Sequence, residues 1–194
     1  MKKKYRNLTI YTCTIGLLMS VFSVASDHLP YVGEEVSFVQ SIIMYLAVLI
    51  NSLSFWFIYS MIVGYKFAEN LKEAALFACL SVICSITFYL VIGSFYEDHA
   101  FTSSLLEKLK NFGSWYAPSI VGGIAGGTTG YLTKRNRYTL SLLGAVLLFQ
   151  LLINGSTSWG NAVGLATNLT FCAVLLITTA YLVYISVPRN RFQN

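Results

Sequence analysis

Residues 138–188, YTLSLLGAVLLFQLLINGSTSWGNAVGLATNLTFCAVLLITTAYLVYISVP, carry no Asp, Glu, Lys, Arg or His. A bilayer core of about 30 Å needs about 20 predominantly apolar residues in a helix, so this stretch has room for two spans. Asn154-Gly155-Ser156-Thr157-Ser158-Trp159-Gly160-Asn161 supplies the turn between them. Working outward, Leu8 to Ser26, Phe38 to Val63, Ala74 to Tyr96 and Trp115 to Thr133 are equally free of Asp, Glu, Lys and Arg. The expected fold is therefore all-α: one transmembrane domain over residues 1–194, built as a bundle of six helices. The spans are expected at about 8–26, 38–63, 74–96, 115–133, 138–154 and 162–186.

Composition agrees. The 194 residues are 56% hydrophobic and only 11% charged, with a mean hydropathy of +0.64. An ordinary soluble domain has roughly a quarter of its residues charged, and a disordered chain needs low hydrophobicity with high charge. A net charge of +5 would suggest nucleic acid in a soluble protein. Here the charges lie between apolar runs, so the expected partner is the lipid bilayer and no nucleic acid. Lys2, Lys3, Lys4, Arg6, Lys66, Lys72, Lys134, Arg135, Arg137, Arg189 and Arg191 fall at the termini or in even-numbered connections, and only Lys108 and Lys110 fall in odd ones. By the positive-inside rule both termini are cytoplasmic. The lysine-rich start and short loops read as bacterial, which places the chain in a bacterial inner membrane.

Two segments admit a second reading. Met1 to Arg6, the apolar run and Ser23-Val24-Ala25 also resemble a secretory signal, although the run exceeds the usual core of about 7 to 15 residues. A retained span is the expectation. Between Glu97 and Pro118, Ser104 and Glu107 form a capping-box pattern followed by Leu105, Leu106, Leu109 and Phe112 at helical spacing. That pattern predicts a short amphipathic helix on the outer interface, able to act as a lid.

Three constellations stand out. Gly122, Gly126 and Gly130 share one face of the fourth span, with Gly123 and Gly127 beside them, and Gly160 and Gly164 start a similar row in the sixth. Such rows let helix backbones approach closely in lipid. Their roles divide between packing inside the bundle, a homo-oligomer seam and a docking face for a transporter partner subunit. Gln150 and Asn154 lie four apart on the fifth span, and Asn161, Gly164 and Asn168 share a face of the sixth. Amides in hydrocarbon require partners, so these either bond to one another or line an outward-facing pocket, with Asn51 of the second span as its floor. Asp27-His28 and Asp98-His99 contain both histidines of the chain on the outer side, where they form either a metal or acid-base group or solvated loops.

Absences narrow the chemistry. No ionisable residue is expected deep in a span, which disfavours proton-coupled transport. There is no Gly-x-Ser-x-Gly, and Cys13, Cys79, Cys84 and Cys172 form no C-x-x-C pair. No cofactor is expected. The sequons at Asn7, Asn154 and Asn168 carry little meaning in such a chain.

In layout, the lysine-rich start, six spans and glycine-rich fourth span running into Thr133-Lys134-Arg135-Asn136-Arg137 resemble small uncharacterised six-span membrane proteins of bacteria. More distantly, the chain resembles the substrate-binding subunits of energy-coupling-factor vitamin transporters. That resemblance implies six helices, cytoplasmic termini, an outward site, lid loops and a transport partner. Their first helix typically carries Ala-x-x-x-Ala for docking; here Cys13, Gly16 and Ser20 are the corresponding small residues, leaving only a Gly16-to-Ser20 pattern. Three functions follow as expectations. The preferred one is a non-enzymatic module that binds a small neutral or weakly polar solute, or a partner, through Asn51, Gln150, Asn154, Asn161 and Asn168. The second is an outer-leaflet enzyme or metal site using Asp27, His28, Asp98 and His99. The third is a structural or immunity-type membrane protein.

Overall fold

The computed structural model describes residues 2–27, 37–95 and 105–187. Every regular element in them is helical: α1 (Lys2–Asp27), α2 (Phe38–Ile50), α3 (Leu53–Phe67), α4 (Leu71–Gly93), α5 (Leu105–Arg135), α6 (Ser141–Asn154) and α7 (Ala162–Ser186). Single 3-10 turns, Arg137–Leu140 and Ser156–Gly160, precede and follow α6.

Four helical stretches are long and apolar enough to cross a membrane: α1, α4, Arg137–Asn154 and α7. The expected second span is not one straight helix. It breaks into α2 and α3, which bend by 63° at Asn51-Ser52 and, counted together as one span, raise the number of stretches long and apolar enough to cross to five. The break has local causes. Ser52 caps α3, its Oγ accepting from the Phe55 N–H at 3.1 Å and donating to the Leu49 carbonyl at 2.6 Å. A hydroxyl that competes for backbone groups on both sides favours a helix end over a helix interior.

The expected fourth span lies within α5, which is not among the helices long and apolar enough to cross a membrane. The expected separate interfacial helix is not separate, because α5 runs without interruption from Leu105 to Arg135. Pro118 does not end it; a proline in a helix interior removes one backbone hydrogen bond, a loss that packed membrane helices tolerate. Ser104, the cap of that expected helix, lies outside the described residues.

The glycines of α5 explain the core of the bundle. Gly126 and Gly130 face α3, and a methyl group at Gly126 would lie 2.7 Å from Ser60 Cβ and 2.8 Å from the Phe57 carbonyl oxygen. Gly127 is wedged between two helices: a methyl there would meet the Ala74 carbonyl and lie 2.5 Å from Ala78 Cβ, while Gly64 of α3 abuts its other side. Gly123 faces Cys79 of α4. Most of the glycine face is thus covered by α3 and α4 of the same chain. The small pair on α1 is used likewise, since a methyl at Gly16 would lie 2.7 Å from Ser85 Oγ and Ser20 Oγ donates to the Ser85 carbonyl at 3.0 Å.

Ordinary apolar packing surrounds this contact. Met19, Ile50, Tyr59, Val82 and Ile86 form one buried cluster, and Phe57, Leu143, Leu147 and Phe171 join α3, α6 and α7 in another. At the end that carries Lys4, its ammonium bridges Glu73 at 2.7 Å and Glu69 at 2.9 Å, tying the start of α1 to the first turn of α4 and to the α3–α4 connection. Burial works to lower the pKa of Lys4, and its hydrogen bonds to the two glutamates outweigh that, leaving it above the ordinary lysine range. The Lys4 hydrogen bond holds the Glu73 carboxyl below the usual range. Lys134 donates to the Ala68 carbonyl at 2.7 Å, fastening α5 to the same connection.

Candidate functional site

The five amides singled out in the sequence converge on one side of the helix break. Gln150 Nε2 donates to Asn154 Oδ1 at 2.7 Å, Asn154 Nδ2 donates to Asn168 Oδ1 at 2.7 Å, and Asn168 Nδ2 donates to Ser158 Oγ at 2.7 Å. Ser158 Oγ then donates to the Gly155 carbonyl at 2.8 Å. At the other end the Ser54 N–H, in the first turn of α3, donates to Gln150 Oε1 at 3.4 Å. The result is a directed chain in which each amide accepts at oxygen and donates at nitrogen, running from α3 through α6 to α7.

Local sequence makes this geometry possible. Gly155 sits at φ +65°, a left-handed conformation that suits glycine, and turns the chain out of α6. The following 3-10 turn crosses over the start of α7, where any side chain at Gly164 would collide with the Ser158 carbonyl. Asn161 caps α7, its Oδ1 accepting from the Gly164 N–H at 2.7 Å. A methyl group at Gly160 would meet nothing within 4 Å, so no close helix approach requires a glycine there.

Beside the chain lies a cavity of about 600 Å³ between α2, α6 and α7, lined by Asn51, Gln150, Asn154, Asn161, Met44 and Phe171 among others. Asn168 is fully buried behind Asn154 and holds it. Each primary amide has two N–H donors, and Gln150 and Asn154 each use one in the chain. Asn51 and Asn161 have their oxygens engaged, Asn51 Oδ1 by Ser23 Oγ at 2.8 Å. The wall is therefore uncharged and offers mainly N–H donors.

A second cavity, of about 500 Å³, lies across the break and was not foreseen from the sequence. It is enclosed by α1, α3, α4 and α5, with Asn51 on its border and Met19, Ser23, Trp56 and Gly122 on its walls. Tyr89 and Asp27 also line it, and the Tyr89 hydroxyl donates to Asp27 Oδ2 at 2.9 Å. The signal that a sequence reader could have used is Asn51-Ser52 inside an apolar run, a polar pair that marks a helix break.

Of the Asp-His candidates only Asp27 is described; His28, Asp98 and His99 lie outside the described residues. Among the described residues no group of three His, Cys, Asp or Glu side chains is placed to hold a metal. The four cysteines are free thiols. With this geometry in hand, comparison with known proteins adds no analogy: no protein-family model, curated protein or solved structure matches the chain.

Proposed function

We propose that this chain is a non-enzymatic integral membrane module of the bacterial inner membrane that binds a small, neutral, acceptor-rich solute from the outer side. In this reading α5 is also a membrane crossing, α2 and α3 together form one broken span, and the chain passes six times with both termini cytoplasmic. The observation that carries the proposal is the convergence of Asn51, Gln150, Asn154 and Asn161 on one uncharged cavity of about 600 Å³. Ligand sites are mostly apolar hollows of roughly 300–1,000 Å³ with a few convergent polar groups, and this cavity has that size and character. Its donors suit carbonyl, ether or hydroxyl oxygens on the solute.

The closed amide chain supports a second reading, in which these residues only tie α3, α6 and α7 together. One experiment separates the two. Native mass spectrometry of the protein released gently from its own membrane is expected to show a retained small mass, lost in Gln150→Leu and Asn161→Leu. A bare protein across several mild detergents, or a mass retained unchanged in both variants, overturns the solute reading.

A further inference from the structure

The cavity on the other side of the break has a different chemistry, and we propose that it is a binding site for a small organic cation with an apolar body, such as an alkyl or aryl ammonium. The proposal stands independently of the amide cavity, because the two share only Asn51 on their walls.

Charge sets the sign of the ligand. Asp27 is the one charged side chain among the cavity's described lining residues, and it is exposed at the end of α1. The Tyr89 hydroxyl bonds to one carboxylate oxygen and orients the group. Helix ends reinforce it. The C-terminal ends of α1 and α4, at Asp27 and Gly93, come to this end of the bundle and contribute partial negative charge. At the break, the C-terminal end of α2 and the N-terminal end of α3 oppose one another and largely cancel.

Shape and lining set the body of the ligand. From Asp27 the wall of α1 descends to Met19, eight residues away, or about 12 Å at 1.5 Å rise per residue. Tyr89 stands at the carboxylate, and Trp56, Val82, Ile86 and Met19 also line the cavity, Trp56 packing against the buried cluster of Met19, Val82 and Ile86. An exposed carboxylate with a tyrosine on it and a tryptophan and aliphatic side chains elsewhere on the same wall favour a cationic head with a hydrophobic tail, held by ion pairing and cation–π attraction. Ser23 and Ser85 supply hydroxyls without adding charge. Gly122 keeps the α5 wall open, since a methyl there would meet nothing within 4 Å.

The test is titration calorimetry on the full chain in uncharged maltoside micelles, with benzyltrimethylammonium as probe and benzyl alcohol and benzenesulfonate as neutral and anionic controls. The cation is expected to bind and both controls to bind at least about tenfold more weakly. Asp27→Asn is expected to weaken the cation by about tenfold, Asp27→Glu to retain it within about threefold, and Trp56→Leu to weaken it about fivefold. Gln150→Leu, in the other cavity, is expected to leave it unchanged. Displacement of the probe by choline assigns the site to a free cation, and displacement only by a short-chain phosphatidylcholine assigns it to a lipid headgroup of the same chemistry. Equal binding of cation and benzyl alcohol, or full affinity in Asp27→Asn, overturns the proposal. So does the absence of cation binding to the unmodified chain.

Discussion

Gly122 and Gly127 lie five residues apart on α5, yet the same substitution should move stability in opposite directions at the two sites. At Gly127 a methyl group would fall 2.5 Å from Ala78 Cβ and meet the Ala74 carbonyl. Carbon atoms prefer about 3.5–4.0 Å, so α4 would have to retreat by about 1 Å while α3 holds α5 from the other side at Gly64. Overpacking of this kind costs roughly 1–3 kcal/mol, and backbone contacts on two sides place it near the upper end. Alanine returns about 1 kcal/mol of helix propensity, leaving a net loss of about 2 kcal/mol. At Gly122 nothing lies within 4 Å of the added methyl, so only the gain of about 1 kcal/mol remains. At about 2–4 °C per kcal/mol for a chain of this length, Gly127→Ala should lower the melting temperature by about 4–8 °C and Gly122→Ala should raise it by about 2–4 °C. Near-ultraviolet circular dichroism in mild detergent, followed against temperature, reads both. Shifts of the same sign at the two positions would refute the assignment of Gly127 to the interior and Gly122 to a cavity wall.

Replacing Asn154 by Leu strands the Gln150 amide nitrogen and the Asn168 oxygen; each orphaned buried group costs about 1–3 kcal/mol, so a loss of at least about 1 kcal/mol is expected in the same melting assay, and an unchanged melt would show that the chain of amides is dispensable. Asn161→Ala removes the cap of α7 and should cost about 1 kcal/mol, read as earlier helix loss by far-ultraviolet circular dichroism; no loss would argue that the cap is replaceable. Alkaline phosphatase fused after Arg137 should be inactive and after Trp159 active if six crossings leave both termini cytoplasmic, and the reverse pattern would invert the topology. The Lys4–Glu73 contact predicts a pH signature. The Glu73 carboxyl is held low, so its contribution is present above the ordinary carboxylate range and is lost as pH falls through the lowered value. Glu73→Gln should therefore melt below the wild type at neutral pH and converge with it in acid; a constant offset between the two curves would exclude the ion pair as the cause.

The sequence made the helices legible because charge punctuates it: α7 ends where the apolar run from Ala162 was expected to end, and α4 lies within three residues of its expected bounds. The packing role of Gly123, Gly126, Gly127 and Gly130 was legible for the same reason, since spacing of four on a helix defines a face whatever that face meets. What the face meets was not legible, and the structure places α3 and α4 there. The break at Asn51-Ser52 was missed because mean hydropathy barely registers two polar residues among 26. The cavity at Asp27 was missed because its residues come from four helices, and nothing along the chain says that Trp56 and Tyr89 line the same hollow as Asp27. Continuity of α5 ahead of Trp115 was missed for the opposite reason, because Ser104, Glu107, Lys108 and Lys110 read locally as a separate capped helix outside the span.

The break itself supports the reading of a binding protein. Interrupting a helix within a membrane exposes backbone N–H and C=O groups that hydrocarbon cannot satisfy, each at a cost of several kcal/mol. Here the interruption is answered locally: the Asn51 N–H bonds to the Ala47 carbonyl at 2.8 Å, Ser52 bonds in both directions, and the Ser54 N–H bonds to Gln150. An uninterrupted helix of Leu and Ile would have needed none of these partners, so packing alone gives no reason for the break. Broken helices occur in membrane proteins where the irregular backbone borders a cavity, and in transporters the substrate sits against them. Asn51 stands at this break with one cavity on either side. A chain that only needed to fill a bilayer would gain stability from Asn51→Leu with Ser52→Ala, which restores the helix. The binding reading predicts instead that this double variant straightens α2 onto α3, collapses both cavities and abolishes retained ligand and cation binding together, even where its melting temperature rises.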